Sequence, residues 1–152
     1  MGYTFIPVAS ATAQRLRDDI NNGSLPGRRV VLEEPGAPCR HCLQPGAVGD
    51  DMLLFEYQPF RGNSPYAVPS PIFLHAEPCP AYTATGEVPV VVRAGLRAVR
   101  AYDAMDDLID GDVVAGAEVE DLIARFLEDD RVAYLHVYSA TAGCFTCCVD
   151  RS

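Results

Sequence analysis

Apolar residues recur along this chain in two rhythms. Val119, Leu122, Ile123, Phe126 and Leu127 stand at i, i+3, i+4, i+7 and i+8, the spacing of an amphipathic helix. Ala13, Leu16 and Ile20 mark a second helix, from Ser10 as N-cap to about Ile20, with Asn21-Asn22-Gly23 as its stop. The remaining apolar runs are short: residues 3–8, 28–32, 52–57, 72–76, 132–138 and 144–149 each have a strand's length. Residues 89–103 fit neither rhythm alone, since Val90-Val91-Val92 favours a strand while the Ala and Arg content suits a helix. Asp110-Gly111, between Leu108-Ile109 and Val113-Val114, predicts a two-residue hairpin turn, and residues 140–143 predict the turn of a terminal hairpin. Tight turns outnumber long crossovers. The expected fold is therefore α+β, a mainly antiparallel sheet with about two helices packed on one face, in a single domain over residues 1–152.

Two segments interrupt the pattern. Residues 58–71 hold four prolines and Gly62-Asn63-Ser64, which excludes a regular helix or central strand, and residues 77–86 form a second proline-containing loop. Loops stiffened in this way beside a sheet are where a pocket is expected.

Composition narrows the chemistry. All twelve basic residues are Arg, so P-loop, Schiff-base and pyridoxal-phosphate lysines are excluded. Of the 21 acids, fourteen fall in residues 77–152 against six Arg, and the net charge is −9. A field of that sign repels phosphate, which predicts no nucleic-acid partner and no docking on an anionic membrane. No stretch approaches the roughly 18 apolar residues of a membrane helix, and residues 1–20 carry no basic start before their apolar stretch. The expected compartment is the cytoplasm, where six cysteines would rest as thiols or metal thiolates.

The residues able to ligate a metal are grouped: Cys39, His41 and Cys42; His75 and Cys79; His136, Cys144, Cys147 and Cys148. Cys39-x2-Cys42 has the spacing at which two thiolates on a tight turn reach one zinc and leave two positions for distant ligands. The candidate metal set is Cys39, Cys42, His75, Cys79, His136 and Cys144, with zinc as the expected cofactor. If the last turn centres near Thr141, His136 lies opposite Thr146 and diagonal to Cys144 and Cys148. Cys144-x2-Cys147 is a weaker pair, because extended backbone points its two sulfurs to opposite faces. His41 reads as a solvent-facing neighbour of the site, and Cys147 and Cys148 as small buried hydrophobes.

Cys39-Arg40-His41-Cys42 also admits thiol redox or nucleophilic chemistry, although Pro45-Gly46 follows too soon for the long helix that thioredoxin-like sites use. A third reading is an interaction module whose cysteines only fill the core. The sequence Asp106 to Ala117 fails as a calcium loop, since Leu108 and Ala117 stand where carboxylates are needed. Signatures of serine hydrolases, zincins and dinucleotide folds are missing from the chain.

Several segments, in order along the chain, resemble the domain of unknown function 1203 family of bacterial proteins. They are Pro38-Cys39-Arg40-His41-Cys42-Leu43, Tyr57-Gln58-Pro59-Phe60 with Pro65-Tyr66, Pro71-Ile72-Phe73-Leu74-His75-Ala76, and Tyr134-Leu135-His136-Val137 with Gly143-Cys144-Phe145. The resemblance supplies no activity. It implies that the segments around Cys39, Cys42, His75, Cys79, His136 and Cys144 are family features. The chain departs from the family pattern at Ser70, where a Gly is common, and at Tyr138-Ser139, where an Arg-Asn pair is common.

Overall fold

Short alternating runs need partners on both edges, and in the computed structural model, which describes residues 2–83 and 86–152, they find them in two antiparallel sheets. The strands are β1 (Tyr3–Ile6), β2 (Arg28–Val31), β3 (Asp51–Tyr57), β4 (Ser70–His75), β5 (Leu96–Tyr102), β6 (Leu108–Ala115), β7 (Tyr134–Ser139) and β8 (Phe145–Arg151). The helices are α1 (Ser10–Asn21), the single turn α2 (Val90–Arg93) and α3 (Val119–Leu127), which a 3-10 turn, Gly116–Glu118, leads in. One sheet has five strands in the order β1-β8-β7-β5-β6; the other has three, β2-β3-β4.

The five-stranded sheet is covered on both faces. On one, Val99, Ala101, Leu135, Val137, Cys147 and Val149 pack against Val119, Leu122, Ile123 and Phe126 of α3. On the other, Ala98, Tyr138, Phe145 and Cys148 meet Leu53, Phe55, Ile72 and Leu74 of the small sheet, with Ala13 and Leu16 of α1 closing the same core. β7 is buried from Leu135 to Tyr138 without alternation, as a central strand between two cores must be. The α+β class and antiparallel pairing are those the pattern predicts. The division into two sheets, with α1 and α3 in separate cores, is new: alternation shows which face of a strand is buried, not which sheet it joins.

Four local expectations are corrected or resolved. Asp110-Gly111 is no turn; β6 runs straight through it, with Asp110 opposite Ala101 and Gly111 opposite Arg100. The hairpin bends earlier, where the Asp103 carboxylate accepts the backbone N–H groups of Met105 and Asp107, and Asp106 takes a φ of 63°. Residues 89–103 divide into a helical turn and a strand. In the terminal hairpin, His136 pairs with Cys148 rather than Thr146: the turn closes one residue later than expected, with the Ser139 N–H donating to the Cys144 carbonyl, and a bulge that leaves Thr146 as the extra residue adds the second. Ser10 begins α1 but does not cap it; Ala9 holds the N-cap position.

Glycine substitutions test this layout. A Cβ on Gly116 would lie 2.4 Å from the Arg93 carbonyl, whereas one on Gly111 would meet nothing nearer than 3.6 Å. Gly116→Ala is expected to cost about 1–3 kcal/mol. Gly111→Ala, in an unstrained strand, should be neutral or stabilising by up to about 1 kcal/mol. Urea midpoints of the two variants check both, and a destabilised Gly111→Ala would restore the turn.

Candidate metal centre

The sulfur of Cys39 is fixed by its backbone. Cys39 forms a parallel bridge with Phe73 of β4, and the Arg40 N–H donates to the Phe73 carbonyl at 3.1 Å. The chain then turns back on itself: the Leu43 N–H donates to the Cys39 carbonyl at 2.9 Å, and Leu43 adopts a φ of 53°. This tight return brings Cys42 beside Cys39. It also lays the loop against the end of β4, where the His75 N–H points at the Cys39 sulfur at 3.4 Å. Cys79 arrives from the proline-containing loop after β4, which is tied back by the Tyr82 N–H to the His41 carbonyl at 3.0 Å.

Four side chains from three segments thus converge. Cys39 Sγ lies 3.8 Å from Cys79 Sγ, Cys42 Sγ lies 3.6 Å from His75 Nδ1, and all four ligand atoms fall within 4.8 Å of one another. The separation of Cys39 and Cys79 is far beyond a disulfide bond of about 2.05 Å, and all six cysteines are free. Cys39 is completely buried; the other three members are half-buried. The set is compatible with a metal ion.

Around it stand groups that hold the ligands in place. His75 turns its other nitrogen, Nε2, to the Asp50 carboxylate at 3.0 Å. The buried Arg17 of α1 donates from Nε to the His75 carbonyl at 2.8 Å and from Nη2 to Cys79 Sγ at 3.5 Å. His41 Nδ1 lies 3.2 Å from Cys79 Sγ, and its Nε2 is 2.9 Å from the Ser10 hydroxyl. Far from facing solvent as expected, His41 is buried. It spends its ring on joining the site to α1, which is why Ser10 is unavailable as a cap. Asp50 and Arg17 carried no signal in the sequence, because neither belongs to a motif; only the fold places them.

The electrostatics show a site short of positive charge. A hydrogen bond from Cys42 outweighs burial and, with backbone N–H groups, lowers the Cys39 thiol to about 4. The same hydrogen bond works in reverse on Cys42, pushing its thiol up with help from burial. Burial and then the Cys39 charge raise Cys79. At His75 burial opposes a proton, but the Asp50 carboxylate and the Cys39 sulfur prevail and raise it. One sulfur is ready to be a thiolate and the others wait for a cation.

Two of the six predicted ligands lie elsewhere. His136 points into the cleft between the sheets, where its ring packs 4.8 Å from Phe60 and 5.1 Å from Phe145 and its Nδ1 meets the Tyr138 hydroxyl at 3.2 Å. Cys144 sits at the terminal hairpin turn, with its sulfur directed to the Ala142 carbonyl at 3.9 Å. Neither joins the four-residue set. The four donors come from the Cys39 loop, the end of β4 and the Cys79 loop, and β7 and the terminal turn contribute none. Cys147 is the expected buried hydrophobe, its thiol pushed up by burial to about 12.

The family described as protein of unknown function (DUF1203) matches residues 36–151, which include all four members of the site. The chain belongs to that family. No curated protein and no solved structure matches the chain. Membership of the DUF1203 family therefore brings no chemistry with it, and the chemistry must come from the residues. No helix among the described residues is long and apolar enough to cross a membrane.

His136 gives a pH test that is separate from the cysteines. Burial, reinforced by the charge of Arg100, holds its pKa down to about 4. The unfolded chain takes up this proton near pH 6.5, so below that pH the folded state loses stability until about pH 4, reaching about 2 kcal/mol by pH 5. Comparing urea midpoints of the wild type and His136→Gln from pH 7 to pH 4.5 isolates this contribution. The variant's curve should be flatter by that amount, and parallel curves would contradict the burial of a neutral imidazole.

Proposed function

We propose that this protein binds one zinc ion, in a structural site formed by Cys39, Cys42, His75 and Cys79. The observation that carries the reading is the spacing of the four donor atoms. A tetrahedral zinc with bonds of about 2.3 Å to sulfur and 2.05 Å to nitrogen requires S···S edges of about 3.8 Å and S···N edges of about 3.6 Å. Cys39–Cys79 at 3.8 Å and Cys42–His75 at 3.6 Å fit those edges. Soft sulfur with one imidazole suits zinc over calcium or magnesium.

Four protein ligands leave no coordination position for a substrate, so the role is structural. Zinc would supply the charge that lets the reluctant thiols of Cys42 and Cys79 ionise, and would join the Cys39 loop, the end of β4 and the Cys79 loop. Asp50 on His75 Nε2 is the carboxylate partner that fixes the ring of a ligating histidine. The Arg17 contact with Cys79 Sγ offsets the negative charge of three thiolates and one zinc. A reducing compartment such as the cytoplasm would keep these thiols available. Thiol–disulfide exchange is less well supported, because the low-pKa sulfur of Cys39 is buried beyond an incoming disulfide, while the more exposed Cys42 has its thiol raised.

Elemental analysis of protein purified without chelator should give one zinc per chain. Cys42→Ser and Cys79→Ser should lose it, while Cys144→Ser and His136→Gln retain it. Chelation should lower Tm by about 10 °C or more. Zinc-free protein of unchanged Tm with six reactive thiols would overturn the reading. Asp50→Asn should keep the stoichiometry at saturating zinc but weaken affinity by about 10- to 100-fold in a competitive chelator titration.

A further inference from the structure

His136 and the loop after β3 define a second place with unused chemistry. A cavity of about 650 Å³ opens between the first turn of α1, residues 57–61 and the face of the five-stranded sheet that carries Tyr134 and His136. That volume suits a small-molecule ligand. Its walls include Phe60, Tyr134 and Phe145, with the His136 ring held between the two phenylalanines.

Several of the polar groups lining it are unspent. His136 is only 3% exposed, and with Nδ1 committed to Tyr138 its Nε2 makes no hydrogen bond among the described residues. Gln58 also lines the cavity, and its Oε1 is buried without a partner. The cavity meets the N-terminus of α1 at Ala9 and Thr12. That end has no side-chain cap and no acidic residue in its first turn, and the Ser10 hydroxyl is taken by His41. Its open N–H groups and helix dipole favour an anion. At the mouth, Arg15 and Arg61 form no ion pair or hydrogen bond with any described residue, and both charges act on the Tyr57 hydroxyl. The two acids in the lining are occupied: Asp106 accepts the Tyr134 hydroxyl at 2.5 Å, and Asp150 lies 3.4 Å from the Cys148 thiol.

We propose that this cleft binds a small aromatic carboxylate. The ring lies among Phe60, Tyr134 and Phe145, and the carboxylate sits between the open first turn of α1 and the guanidinium groups of Arg15 and Arg61. The His136 Nε2 and Gln58 amide select polar substituents on the ring. The aromatic lining accounts for the ring and the positive rim for the acid. An amine would leave both arginines unpaired, and an aliphatic acid would leave the aromatic walls unfilled. The site is separate from the cysteine cluster, so its occupancy does not require the zinc reading to hold.

The test is a titration of the 15N-labelled full chain with benzoate and 4-hydroxybenzoate, with benzylamine and acetate as controls and the metal content measured before and after. Saturable shifts of the Ser10, Ala11 and Thr12 amides and of His136 Nε2 are expected with the two aromatic acids only. The double variant Arg15→Gln/Arg61→Gln, altered at exposed positions, should keep its spectrum and weaken benzoate binding by about tenfold or more. No saturable shift up to about 10 mM of either acid, a weak regime for any specific site, would overturn the proposal. Equal binding of benzylamine, or unchanged benzoate affinity in the double variant, would do the same.

Discussion

Three thiols and an imidazole held within a few ångströms, partly out of water, form an arrangement that the chain has to compensate for. Burial opposes charge on every sulfur, and a first thiolate opposes a second. The compensations are all in place: the Cys42 and His75 N–H contacts to Cys39, the Arg17 guanidinium on Cys79 and the Asp50 carboxylate on His75. They act on donors from three separate segments, so the arrangement exists only in the folded state. A divalent cation is the remaining element that would let all three sulfurs carry charge together.

The fold creates this convergence through backbone rather than side-chain pairing. The Cys39 bridge to Phe73 adds a fragment of strand to the free edge of β4, which places the Cys39 loop at the end of the strand that carries His75. Arg17 reaches the same point from α1. The small sheet of three strands is thus extended at its edge by the Cys39 bridge and covered on one face by the larger sheet. The Ser70 hydroxyl, accepting the Phe145 N–H at 3.0 Å, and Arg40 Nε, donating to the Phe145 carbonyl at 2.7 Å, join the two sheets directly.

Much of this was legible in the residues. The 3.6-residue spacing of Val119 to Phe126 located α3 and its buried face, and Ala13 and Leu16 located the buried face of α1. The Cys39-x2-Cys42 spacing pointed to two of the four clustered donors, and the grouping added His75 and Cys79. What failed was register. Spacing along β7 and β8 reveals neither a later turn nor a bulge at Thr146, so it sets His136 diagonal to Cys144 and Cys148 where the strands place it directly opposite Cys148. Asp110-Gly111 has the composition of a turn, but the side-chain hydrogen bonds of Asp103 form one nearer the chain's start and leave the pair in an extended strand. Asp50, Arg17 and the buried state of His41 depend on contacts between elements, which no local pattern encodes.

The separation of His136 from the cysteines has its own meaning. β7 sends Leu135 and Val137 into one core and His136 into the cleft, so the same strand serves packing on one face and a polar cavity on the other. The cysteine cluster meets α1 through Arg17 and, by way of His41, through the Ser10 hydroxyl, whereas the cleft is lined by Ala9, Thr12 and Arg15. The central claim concerns the cluster, and zinc K-edge X-ray absorption on the zinc-loaded chain tests it most directly. The account predicts a shell of three sulfurs at about 2.3 Å and one nitrogen at about 2.0–2.1 Å. A shell of oxygen and nitrogen alone, or one with fewer than three sulfurs, would contradict it.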